Sequence, residues 1–298
     1  MKADRRFGAQ APTASALAGR HVAMLFEKPS LRTRSTFEIA VTELGAETLH
    51  VPSEFADGTR EPLDDVARNL ERWVHALVVR TYAQDKVASM AAAAPQLHVI
   101  NALSDEQHPC QALADMMTLQ RALGHAARPR AWRSWATATT LRPRCAHAAR
   151  AAWHSVSHRI AARLRAPAQV VDARVAGARA TAPAFSCSAI RARPSHGADA
   201  IYTDVWTSMG QEREADRRKQ IFAPYQVNAS ADGAPRRRAR CSCTACPRTA
   251  AKKSPPRCFD SPASVVFDQA ENRLHTQKAL LLMLAVVGRP HGRRPHAQ

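Results

Sequence analysis

Between positions 21 and 120, short apolar runs alternate with segments of helical periodicity, and this alternation limits the fold more than any other feature. The apolar runs fall at 21–26, 48–51, 76–80 and 98–103, and the helical patterns at 35–44, 62–73, 85–94 and 108–120. Strands joined through helices pair in parallel, which requires helices on both faces of the sheet. The expectation is an α/β fold with a doubly wound parallel sheet. In such sheets ligands bind beyond the carboxyl ends of the strands. Arg80, Thr81, His108 and Gln111 all fall there.

The densest chemistry lies just after the first run, in Phe26-Glu-Lys-Pro-Ser-Leu-Arg-Thr-Arg-Ser-Thr-Phe-Glu38. Pro29 stops the strand, and the helical pattern begins at Ser35. Ser30, Arg32, Thr33 and Arg34 are therefore expected on a strand-to-helix turn. There, free amides and the positive end of the helix dipole favour an anion. Two guanidiniums and two hydroxyls add donors with the geometry phosphate prefers. A solvated basic turn with an N-cap fits these residues equally well.

The formal net charge of +18 suggests a nucleic-acid partner, but its distribution argues otherwise. Residues 1–120 hold twelve Lys and Arg against fifteen Asp and Glu. Residues 121–200 hold fourteen against two, and residues 234–258 hold eight against none. The excess thus sits in blocks without clean periodicity, and the patterned segments are slightly acidic. The same two blocks carry six of the seven cysteines. With no signal-like start, reduced thiols and a cytoplasmic location are expected. The longest apolar stretch, 279–287, is far short of a membrane span.

Three segments resemble the carbamoyl-phosphate half of the carbamoyltransferases in order and spacing. They are Ser30-Leu-Arg-Thr-Arg34 before a Phe-Glu helix, Val78-Val-Arg-Thr-Tyr82, and His108-Pro-Cys-Gln111. Leu31 departs from the commonest form, which has Thr. The cost is small if that Thr acts through its backbone and larger if its hydroxyl is needed. Asp204-Val-Trp-Thr-Ser-Met-Gly210 resembles the acceptor loop of the ornithine carbamoyltransferases. Ser264 to Leu280 resembles the family's C-terminal strand and closing helix, with its active-site Arg at Arg273.

The resemblance implies transfer of a carbamoyl group from carbamoyl phosphate to the δ-amino group of L-ornithine, giving L-citrulline and phosphate. It implies catalytic roles for Arg32, Arg80 and His108. Carbamoyl phosphate would be held by Ser30, Leu31, Arg32, Thr33, Arg80, His108, Gln111 and Arg273. Ornithine would be held by Asp204, Ser208 and Met209. No metal or other cofactor is implied, and no nucleic-acid or membrane partner. A homotrimer is implied, acting in arginine biosynthesis. The resemblance further implies an α/β fold of two doubly wound parallel-sheet domains joined by helices, 1–122, with a C-terminal helix at about 270–288 packed back on it, and 123–269. Another amine, or a modified ornithine, remains an alternative acceptor. A basic nucleic-acid-binding protein is the alternative from another class.

Two family motifs are missing, Gly-Asp-Gly-Asn-Asn and His-Cys-Leu-Pro. Codons compatible with Ser134–Leu141, read one frame over, spell Val-Gly-Asp-Gly-Asn-Asn-Val. The same offset across Cys241–Cys258 restores Phe-Met-His-Cys-Leu-Pro. Both blocks, 121–196 and 234–258, therefore read as frameshifted, through a pseudogene or a sequencing error. The same explanation covers the zinc-like Cys241-x-Cys243-x-x-Cys246 and the Arg236–Arg238 run. A damaged second domain and impaired activity are expected of the chain as written.

Overall fold

The computed structural model describes residues 13–123, 132–135, 155–159, 184–188, 200–203, 212–223, 240–243 and 262–287. Two compact units divide the chain, 1–110 with 271–298, and 111–270.

In the first unit, β1 (His21–Phe26), β2 (Glu47–Val51), β3 (Ala76–Arg80) and β4 (His98–Leu103) form a parallel sheet of order β2-β1-β3-β4. The helices between them are α1 (Leu31–Glu43), α2 (Leu63–Trp73) and α3 (Gln84–Ala93). Alternate strand residues face opposite layers. Val22, Met24, Ala76, Val78, Ile100 and Ala102 pack with Phe37 and Val41 of α1. Leu274 and Leu281 of the C-terminal helix join the same cluster. Ala23, Leu25, Leu77 and Val79 pack on the other face with Val66 and Leu70 of α2 and Val87 and Met90 of α3. Both faces are thus apolar and covered, so β3 is buried along its whole length.

The expected strands at 21–26, 76–80 and 98–103 match the observed ones residue for residue. Helix α1 differs, starting at Leu31 and not at Ser35. The Ser30 hydroxyl accepts the Thr33 amide at 3.3 Å, an N-cap that starts the helix four residues before its expected first residue. The end of α1 is set by Gly45, at φ +78, where an added Cβ would lie 2.6 Å from the Ala14 carbonyl oxygen.

Helix α4 (Pro109–Leu123) follows β4. In the second unit, β5 (Trp132–Trp135), β6 (Ser155–Arg159), β7 (Ala184–Ser188), β8 (Ala200–Thr203) and β9 (Arg240–Cys243) form a parallel sheet of order β7-β6-β5-β8-β9. Helix α5 is Ala215–Phe222, and α6 is Val266–Val287. The doubly wound parallel architecture is therefore the one the alternation implied. Strands β5, β6 and β7 lie where the sequence shows no strand period. Backbone hydrogen bonding to parallel neighbours places them, and their side-chain pattern does not. Among the described residues, no helix is long and apolar enough to cross a membrane.

Candidate anion site at the carboxyl edge of the first sheet

The carboxyl ends of β1 and β3 lie side by side, with Phe26 in register with Arg80. The Glu27 amide donates to the Arg80 carbonyl at 2.9 Å, which holds the two chain exits together. Three residues after Glu27, Ser30 caps α1. Ser30 to Thr33 therefore form the cap and first turn of a helix 13 residues long, where unpaired amides and the dipole favour negative charge.

Arg32 is half-buried, Thr33 is buried, and Leu31 is 81 % exposed. Arg34 does not share the site expected of it. Its guanidinium donates to Glu38 at 3.0 Å and lies 3.1 Å from the His50 ring. Two helical steps turn a side chain by about 200°, so Arg32 and Arg34 cannot face one ligand from the same helix.

Arg80 is 9 % exposed at the end of β3. Arg273, on α6, is 3 % exposed, and its Nη2 donates to the Thr33 hydroxyl at 2.8 Å. This contact joins residues 240 apart in sequence and brings a distant guanidinium to the turn. His108 stands half-buried directly before α4.

Gln111 is described within the second unit. It is buried, and its Nε2 donates to Asp115 at 2.9 Å. Gln269 also donates to Asp115. Sequence reading passed over Asp115, although a polar partner four residues after Gln111 on the same helix face is a usable signal. It also passed over Glu27 and Lys86, which stand with Thr81 at the strand exits. Asp204, Ser208 and Met209 lie outside the described residues. Cys241 and Cys243 lie on β9, and Cys246 lies outside the described residues. Among the described residues, no group of three or more His, Cys, Asp or Glu could hold a metal ion.

Cys110, between His108 and Gln111, is fully buried. Burial pushes its thiol up to about 11, although the nearby Arg273 charge works in the opposite direction. At pH 8 about one thiol in a thousand would be ionised, and water-borne reagents cannot reach it. Alkylation of the folded protein, mapped by mass spectrometry of the Cys110 peptide, is expected to be slow, and fast after denaturation. Rapid labelling of Cys110 in the native protein would contradict this burial.

Fold and site together define an α/β protein with an arginine-bearing helix turn beyond the carboxyl ends of its parallel strands. Residues 1–121 match the family model described as aspartate/ornithine carbamoyltransferase, carbamoyl-P binding domain. Residues 148–284 match the model of the Asp/Orn binding domain. An ornithine carbamoyltransferase of Parafrankia sp. is 39 % identical over 296 residues, covering 95 % of this chain and 88 % of the relative. One from Methanospirillum hungatei is 37 % identical over 301 residues, covering 95 % and 91 %. The solved ornithine carbamoyltransferase from Pyrococcus furiosus superposes with a TM-score of 0.85 at 33 % identity, over 94 % of this chain and 88 % of the other. The chain belongs to the aspartate/ornithine carbamoyltransferase family.

Proposed function

We propose that the chain descends from enzymes that transfer the carbamoyl group of carbamoyl phosphate to the δ-amino group of L-ornithine. The amine nitrogen attacks the carbonyl carbon, the bond from that carbon to the phosphate oxygen breaks, and phosphate leaves. The nitrogen gives up a proton, and L-citrulline results. The observation that carries this reading is the Arg273–Thr33 contact at the first turn of α1, with the Arg80 backbone held beside the exit of β1 in the same unit.

In this reading, the α1 amides with Ser30, Leu31, Arg32 and Thr33 hold the phosphate. Leu31 contributes through its backbone, since its side chain is 81 % exposed. Arg80, His108 and Gln111 hold the carbamoyl group with Arg273 beside them, and Arg32, Arg80 and His108 stabilise the charge that develops as the phosphate departs. Catalysis is electrostatic and positional, because charge on the oxygens grows as the phosphate leaves. Asp204, Ser208 and Met209 would receive ornithine. The proposed domains are 1–122, with the helix at about 270–288, for carbamoyl phosphate and 123–269 for ornithine. A cytoplasmic homotrimer acting in arginine biosynthesis completes the reading. The two basic blocks are proposed to be out of frame, which leaves carbamoyl-phosphate binding as the function the first unit retains.

Calorimetric titration of the full chain with carbamoyl phosphate tests this directly. Saturable 1:1 binding is expected, with competition by inorganic phosphate. Absence of binding at millimolar ligand would overturn the assignment of the anion turn.

A further inference from the structure

Glu27 follows β1 directly and precedes the Ser30 cap by three residues. Its side chain is 9 % exposed. One carboxylate oxygen accepts the Tyr82 amide at 3.0 Å and also the Thr81 hydroxyl. The other accepts the Lys86 ammonium, which donates in turn to the Ala56 carbonyl at 2.6 Å. The neighbouring Lys28 ammonium sits 3.9 Å over the Tyr82 ring. A single carboxylate therefore ties together three segments of the first unit. They are the approach to α1, the residues directly after Arg80, and, through Lys86, the segment between β2 and α2.

A buried acid is costly unless paired, and one placed beside a dianion site would also repel the ligand. Lys86 meets both objections. Burial by itself would raise the Glu27 carboxyl, but the Lys86 ammonium, the Thr81 hydroxyl and the Tyr82 amide outweigh it and hold the carboxyl below its ordinary value of 4.5. With the folded value lowered, the clamp is complete above the ordinary carboxylate range. It is lost only as pH falls through the lower folded value.

We propose that Glu27 is a positioning residue for carbamoyl phosphate: its carboxylate fixes the first turn of α1 and Arg80 at the spacing at which both meet one ligand. The proposal rests on the reading of the anion turn given above. Glu27 itself touches no substrate. In Glu27→Gln the amide oxygen can still accept from Thr81 or Tyr82, but the amide nitrogen that replaces the second oxygen cannot accept from Lys86. The substitution therefore loosens the clamp while nearly preserving shape.

The test compares carbamoyl phosphate with inorganic phosphate, titrated into the full chain and its variants, with thermal midpoints recorded alongside. Carbamoyl phosphate needs the turn and Arg80 together, and inorganic phosphate can be held by the turn alone. Glu27→Gln is expected to weaken carbamoyl phosphate roughly tenfold, the scale of one charge-assisted contact, and to change inorganic phosphate by less than about threefold. In an Arg80→Ala background the same substitution should have little further effect, because Arg80 is what it positions. Lys86→Met, at a partly exposed side chain, should give the same pattern and serves if Glu27→Gln does not fold. Equal weakening of both ligands, or wild-type carbamoyl-phosphate affinity in both variants, would overturn the proposal. A wild-type chain that binds neither ligand would instead overturn the reading on which it rests.

Discussion

Arg80→Ala, made in a version with both frames restored, is expected to lower carbamoyl-phosphate use by one to two orders of magnitude or more. Arg80 ends a strand buried along its whole length and is itself 9 % exposed. A guanidinium there faces little competing water, so its contact to a dianion is worth about 1.5–3 kcal/mol or more. Each 1.4 kcal/mol is a factor of about ten. Arg32→Ala should fall in the same direction with a smaller loss, because Arg32 is half-buried and its α1 amides stay in place. Arg80→Lys should recover part of the loss, since it keeps the charge but not the fork. Steady-state kinetics with carbamoyl phosphate as the varied substrate decides this. Unchanged parameters in both alanine variants would remove these residues from the site.

The second large effect concerns the chain as written, for which negligible citrulline formation is expected. Restoring frame across codons 120–260 should recover it. Reading the gene is expected to find compensating single-base changes near residues 121–133, 190–197, 230–240 and 258–260. Strand β5 is the centre of the second sheet, and β3 is an inner strand of the first. Inner parallel strands are ordinarily apolar on both faces. β3 reads Ala-Leu-Val-Val-Arg, with its one charge at the end, and β5 reads Trp-Arg-Ser-Trp, with a charge inside. The two blocks together hold 22 Lys and Arg against two Asp and Glu across 121–200 and 234–258. Burying such charges unpaired costs several kcal/mol each, against a whole-domain margin of about 5–15 kcal/mol. A clean gene sequence in the present frame, or normal turnover from the present chain, would refute this expectation.

The division between local and distant information runs through every part of the molecule. Strands β1, β3 and β4 were legible to the residue because an unbroken apolar run bounded by polar residues is a local signal. The placement of Ser30 to Thr33 after β1, of Arg80 at the end of β3 and of His108 after β4 was legible for the same reason. The start of α1 was misread, because its apolar face begins at Phe37 and the Ser30 cap acts ahead of that face. Strands β5 to β7 were illegible, because their place comes from backbone bonds to neighbours up to tens of residues away.

At the site, sequence alone determined which residue types were present and that the strand ends would carry them. Only the tertiary structure decided which of them meet. It turned Arg34 away to Glu38, set Arg273 on the Thr33 hydroxyl, and wrapped Thr81, Tyr82 and Lys86 around Glu27. The physical reason is range. Caps, apolar runs and charge blocks act over a few residues, and a site is made of contacts whose partners the chain brings together only once both faces of the sheet are covered.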